Sequence, residues 1–276
     1  MSERPGLSGS FDLVCAAHPQ RGTFVARQSF SAPLHLSKTY WDGDILLVNI
    51  VNQTAGWFGG DRVRVSVSVE PGARVLLSSP SAARFHPSEG REVRLEQAFQ
   101  VAAGAFLDVF PELSIPQGGS RSSQATTINV ERGGELLFLE TLAPGRVASG
   151  ESFAFARYAW RTDVRWAGRL VHRERAELEP VGPSLAGLRA LFPVSYYASL
   201  IIISPTAETW GTDFAQAVGD LGDEETVRIG ASPLCAGGWS IRVLTRDGLA
   251  LRQTMARVRT LVYQRLGKSL PDARRL

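Results

Sequence analysis

The side chains able to do chemistry are few and scattered in this sequence. The four histidines, His18, His35, His86 and His172, are scattered, with no two at metal-ligand spacing. Cys15 and Cys235 lie far apart and outside any C-x-x-C pattern, which points away from a zinc cage or a disulfide framework and toward a reducing cytosol. There is no G-x-x-x-x-G-K-[ST] loop and no H-E-x-x-H. Gly182-Pro-Ser-Leu-Ala-Gly187 has the wrong spacing for a G-x-S-x-G nucleophile elbow. Catalysis is therefore not supported, and no tightly bound cofactor is expected.

Denser signals come from glycine and arginine. The run Asn49-Ile-Val-Asn-Gln-Thr-Ala-Gly-Trp-Phe-Gly-Gly-Asp61 sets Gly56, Gly59 and Gly60 around two large aromatics and ends on an acid. Such backbone turns sharply or is approached closely. Arg157, Arg161, Arg165, Arg169 and Arg173 recur every four residues among Tyr158, Trp160 and Trp166. Arginines beside aromatics suit single-stranded nucleic acid. On a strand, however, Tyr158, Trp160, Val164 and Trp166 share one face and Arg157, Arg161, Asp163 and Arg165 the other, which separates stacking from charge. The net charge of +3, from 30 basic and 27 acidic residues, adds no case for nucleic acid. Only Lys38 and Lys268 are lysines, a bias that fits a GC-rich codon usage and also the aptitude of arginine for paired charges at protein interfaces. From residue 252 onward seven basic residues, Arg252, Arg257 and Arg259 among them, face the single acid Asp272. This reads either as a solvated helix face or as a docking tail for an acidic partner.

The elements that carry these residues show in the periodicity. Arg62-Val-Arg-Val-Ser-Val-Ser-Val69 alternates with period two, and the segments 93–101, 126–130 and 158–166 behave alike, so the first half is nearly all β. Val69-Glu-Pro-Gly-Ala-Arg-Val, Val101-Ala-Ala-Gly-Ala-Phe-Leu and Val130-Glu-Arg-Gly-Gly-Glu-Leu share the form V-x-x-G-[AG]-x-[VL], spaced by 32 and 29 residues. A degenerate copy, Val164-Arg-Trp-Ala-Gly-Arg-Leu170, follows with one residue inserted. Each reads as strand, tight turn, strand, and a repeated β unit of this length indicates stacked layers. Past residue 180, Ser199-Leu-Ile-Ile-Ile-Ser204 is a buried strand, and Trp210, Phe214, Ala217 and Val218 take helical spacing up to Gly219. A longer helix follows Asp247 as N-cap, with Leu251, Met255, Val258, Val262 and Leu266 on one face and Gly267 as stop. With 44% hydrophobic and 21% charged residues, the 276-residue chain reads as one elongated mainly β domain with a β-helix or solenoid-like body and two α-helices in its C-terminal half. The expected division is a poorly ordered 1–20, β layers over 20–180, and strands with two helices over 181–276. Met1-Ser-Glu-Arg-Pro-Gly is no signal peptide, and Leu200-Ile-Ile-Ile203 is far shorter than the roughly 20 residues a membrane helix needs, so a soluble cytoplasmic protein is expected.

Several motifs in register resemble one family. Asn52-x-x-x-Gly56-Trp-Phe-Gly59-Gly60-Asp61 is similar to the N-x-x-G-G-x-x-G-G-D segment of the UreD (UreH) family of urease accessory proteins. The likeness continues through Pro71-Gly-Ala-Arg-Val-Leu-Leu-Ser-Ser79, Ala82-Ala-Arg-Phe85, Gly104-Ala-Phe-Leu107, Pro111-Glu112, Glu140 and the stretch from Gly145 to Phe153. It runs on from Gly168 to Arg175 and to the closing Leu-Pro-x-x-Arg-Arg. This sequence departs from the pattern at Gln53, Ala55 and Trp57-Phe58, and at Ala82 and Ala83, where the family usually carries hydroxyls.

The resemblance implies a β-helix-like body with two helices and a non-enzymatic chaperone. Such a chaperone binds apo-urease and recruits a helical UreF-like protein and a nickel-loaded UreG-like GTPase, so that nickel reaches the urease active site through a channel. A transit path needs weak, exchangeable oxygen donors. By their place in the matching motifs, Asp61, Glu140 and Glu174 are the carboxylates expected to line it, with nickel only transient. Partner binding is expected at Arg252, Arg257 and Arg259, with no nucleic acid and no membrane. A different class, a β-solenoid that binds or acts on carbohydrate, would use aromatic platforms and paired carboxylates.

Overall fold

A computed structural model of the chain describes residues 6–180, 195–223 and 225–272. The chain opens with an antiparallel pair, β1 (Ser8–His18) and β2 (Gly22–Phe30), so residues expected to be poorly ordered before position 20 instead form a strand. Alternate side chains explain it, since Phe11, Leu13 and Cys15 of β1 are buried in the core. Short strands β3 (Leu34–Leu36) and β4 (Tyr40–Asp42) border β5 (Ile45–Asn52). The repeats follow: β6 (Arg62–Val69), β7 (Arg74–Ser78) and β8 (Ala83–Phe85); β9 (Val93–Val101), β10 (Phe106–Phe110) and β11 (Ser114–Pro116); β12 (Arg121–Val130) and β13 (Glu135–Leu142). A hairpin of β14 (Arg157–Trp166) and β15 (Arg169–Leu178) ends this series. Beyond it lie β16 (Tyr196–Ile203), helix α1 (Thr212–Gly219), β17 (Val227–Pro233), β18 (Gly238–Thr245) and helix α2 (Gly248–Arg265).

The strands form two sheets. Sheet A runs β15-β14-β12-β9-β6-β1-β2 and sheet B runs β17-β18-β16-β13-β10-β7-β5-β3. Within the repeats every neighbour pair is parallel, because each strand pairs with its equivalent in the next coil. The mainly β, solenoid-like body of about four turns with two helices in the C-terminal half is as the sequence indicated.

The V-x-x-G turns, however, are hairpins in only one case of four. At Gly72, Gly104 and Gly133, with φ of +77°, +72° and +87°, the turn carries the chain from sheet A across to sheet B. These corners stack, with Ala102 N–H donating to Val69 C=O at 3.0 Å and Glu131 N–H to Val101 C=O at 2.8 Å. The residue inserted in the fourth copy changes the outcome. Ala167 and Gly168 both take positive φ, as a type I′ turn requires, and β14 folds back on β15.

Sheet B is apolar on both faces. Its inward side chains, such as Val75, Leu107, Leu136 and Ile201, meet those of sheet A, while Leu76, Phe106, Leu137 and Ile202 meet the helices. Strands covered on both sides read as continuous apolar runs, as Leu200-Ile-Ile-Ile203 does. Helix α2 starts on Asp247, whose carboxylate accepts the Ala250 N–H, and it buries Leu251, Met255, Val258 and Val262 as its spacing requires. Trp210 precedes α1 rather than joining it, and its ring packs 4.4 Å from that of Phe214. Among the described residues no helix is long and apolar enough to cross a membrane. The spacing argument on residues 182–187 and the final arginines, Arg274 and Arg275, fall outside the described residues.

Candidate functional site

Between the sheets the apolar interior is interrupted by one polar layer. In sheet A the inward positions Gln97, Thr126, Thr162 and Glu174 are direct cross-strand neighbours on β9, β12, β14 and β15. In sheet B the facing row is Glu140, Ser199 and Arg242, on β13, β16 and β18. Each strand places a polar residue where its alternation calls for an apolar one. Glu140, for example, sits between the buried Phe138 and Leu142.

Glu140 lines a partly open cavity of about 280 Å³ between the two sheets. Its Oε1 accepts Gln124 Nε2 at 2.7 Å and its Oε2 accepts Thr162 Oγ1 at 2.8 Å. Burial raises its pKa to about 7, the two hydrogen bonds opposing the shift and the nearby Glu174 adding to it. Glu174 has the opposite fate. Burial pushes it up, but His172, Arg242, Tyr197 and Trp160 together hold it down at about 2. Its Oε1 accepts Tyr197 OH at 2.6 Å and Trp160 Nε1 at 3.2 Å, while Oε2 accepts Arg242 Nη2 at 2.6 Å and Ser199 Oγ at 3.2 Å. One interior carboxyl is thus poised to gain or lose a proton near neutrality, beside another that is held ionised.

A family model described as UreD urease accessory protein matches residues 7–276. The chain belongs to this family. It is 37% identical over 275 residues to the urease accessory protein UreD of Opitutus terrae, covering 98% of this chain and 99% of that one. It is 34% identical to the protein of the same name from Deinococcus radiodurans over 82% of this chain and 79% of that one. The relative of that name in Acetivibrio thermocellus is 28% identical over 85% and 89% of the two chains. This UreD-family chain therefore has a role in urease maturation.

The structure unites two of the three carboxylates expected to act together. Of the three, only Glu140 lines the cavity; Glu174 lies beside it in the polar layer, and Asp61 stands apart from both. Its Oδ1 accepts the Leu7 N–H at 2.8 Å and its Oδ2 the Phe58 N–H at 2.9 Å, so it closes the glycine turn and ties the N-terminal segment to it. Gly59 is there for proximity, because a Cβ would lie 2.5 Å from the Ser88 carbonyl oxygen. Gly56 sits against β8 in the same way, where Trp57 N–H donates to Arg84 C=O at 2.7 Å, and Gly60 takes φ +92°. Asp61→Ala should lower stability by about 1–3 kcal/mol, the usual cost of orphaned buried donors. Urea unfolding would show it, with increased protease cleavage before β1.

Of the arginines expected at a partner surface, Arg252 and Arg257 are exposed on α2. Arg259 is not, being 6% exposed and paired with Asp108 beneath the helix. The spacing held that signal, since position 259 follows the buried Met255 by four residues and so shares its face. Ala82 and Ala83 line the cavity, while Thr126, Thr162 and Ser199 supply hydroxyls to the polar layer.

Proposed function

We propose that the polar layer is a nickel transit site. In this reading the protein binds apo-urease and, with a helical UreF-like protein and a nickel-carrying UreG-like GTPase, passes nickel through its interior to the urease active site in the cytoplasm. The observation that carries the reading is Glu140: a half-buried carboxyl on a cavity wall, held by two neutral donors, with no direct ion pair among the described residues. A carboxyl in that setting gains most from an arriving cation. Its oxygen donors and the hydroxyls around it bind nickel(II) weakly enough to release it, whereas a thiolate cage would retain it. No catalytic residue is assigned, and nickel is cargo rather than a resident cofactor. Use of the cavity as a carbohydrate site is less apt, because Trp160 and Tyr197 already direct their N–H and O–H to Glu174.

The test uses cells expressing urease with its accessory proteins. Glu140→Ala should lower the nickel content and activity of purified urease several-fold, while the variant still co-purifies with the helical partner and apo-urease. Unchanged nickel content would reject the path. Failure of the unmodified protein to bind either partner would reject the scaffold role.

A further inference from the structure

We infer that His172 supplies a nitrogen donor to this path, forming with Glu174 a two-donor station that Arg242 occupies when no metal is present. The inference rests on reading the polar layer as a metal path. His172 precedes Glu174 by two residues on β15, so the two side chains share the inward face. The His172 side chain is 10% exposed, and its buried Nε2 stands 3.6 Å from Glu174 Oε2, beyond hydrogen-bond distance but close enough to help hold that carboxylate ionised. Leaving a buried ring nitrogen without a partner is costly, and here it points at a carboxylate in the interior.

The two oxygens of Glu174 do different work. Oε1 is fixed by Tyr197 and Trp160, whose rings are rigid and packed 5.9 Å apart. Oε2 is the exchangeable one, facing Arg242, Ser199 and His172. The Arg242 side chain is 36% exposed, so its guanidinium can withdraw into water when a cation takes its place. Until then it compensates a carboxylate that would otherwise be buried and uncompensated. Nickel(II) accepts imidazole nitrogen and carboxylate oxygen together. Among the described residues no group of three or more His, Cys, Asp or Glu forms a metal site. Two protein donors with water completing the shell hold an ion loosely, as transit requires.

The experiment follows the histidine ring signals of the full-length protein, carrying ¹³C-labelled histidine, during titration with nickel sulfate. The four rings, at positions 18, 35, 86 and 172, are assigned by His→Gln variants at the first three, leaving His172 by elimination. Paramagnetic nickel should broaden the His172 signal at lower concentration than the others. Glu174→Gln should remove that selectivity, and Arg242→Gln should produce the same broadening at several-fold less nickel. A His172 signal that stays sharp, while Glu140→Ala still lowers the nickel reaching urease, overturns the nitrogen station and leaves the path standing. If Glu140→Ala and Glu174→Gln both leave nickel delivery unchanged, the path itself fails.

Discussion

Glu140→Gln should make this protein more stable at pH 8 and leave it almost unchanged at pH 4. The folded carboxyl titrates at about 7, against an ordinary value of 4.5. Between those values the native state holds a proton that the unfolded state has released, so stability falls as pH rises through that window and levels off above it. The full loss is about 3 kcal/mol, from 1.36 kcal/mol per pKa unit. Glutamine keeps both contacts, since its amide oxygen accepts from Gln124 and its amide nitrogen donates to the Thr162 hydroxyl. The gain at pH 8 should appear as a rise in Tm of roughly 5–10 °C, given the usual shift per kcal/mol for a chain of this size. Thermal melts from pH 4 to pH 8 check it: parallel curves for the two proteins would mean that Glu140 does not titrate in this range. Glu174 bends the low end oppositely. Its folded value of about 2 lies below the ordinary one, so the stability it contributes is present above pH 4.5 and lost as pH falls toward 2. On the proposed transit reading, a cation reaching protonated Glu140 must also release its proton, so nickel delivery should weaken below pH 7.

The polar layer shows how far this fold could be read from its sequence. Strands β6 and β9 and helix α2 are legible because alternation and helical spacing are local, and the corner glycines recur at 32 and 29 residues because each coil repeats the same turn. Which strand pairs with which is less local. A V-x-x-G turn looks alike whether it folds back as a hairpin or crosses to the other sheet, and only the inserted residue before Gly168 separates the two. Gln97, Thr126, Glu140 and Thr162 come together through coil stacking, and Glu174 joins them through the β14–β15 hairpin. Gln97, Glu140 and Thr162 nonetheless leave a mark in their own strands, a polar residue in the inward phase between apolar neighbours. Family motifs point to Glu140 and Glu174, and the same motifs point to Asp61, whose backbone-tying role no spacing distinguishes from a place in a path. His172 lies inside the matching stretch from Gly168 to Arg175 without being singled out by it, and the role proposed for it rests on the buried nitrogen beside Glu174.

Breaking the ion pair beneath α2 should have the largest effect on stability. Asp108 is 1% exposed on the helix-facing side of β10, where it accepts from Arg259 and, at 2.6 Å, from Tyr263 OH. The Arg259 guanidinium also lies 4.0 Å from the centre of the Phe110 ring. Asp108→Ala leaves a buried cation with no counter-charge and a phenol with no acceptor, at a cost of about 3–5 kcal/mol. The double variant Asp108→Leu with Arg259→Met should recover most of that loss, because matched apolar groups remove both desolvated charges at once. Urea unfolding of Asp108→Leu, Arg259→Met and their combination measures the coupling, and a loss below about 1 kcal/mol in Asp108→Ala would show that the pair does not fasten the helix. The consequence reaches function through position. Arg252 and Arg257 lie on the exposed side of the helix that this pair holds to sheet B. If they meet an acidic partner, Asp108→Ala should weaken co-purification with it, although Asp108 itself lies beneath the helix, and the double variant should restore binding together with stability.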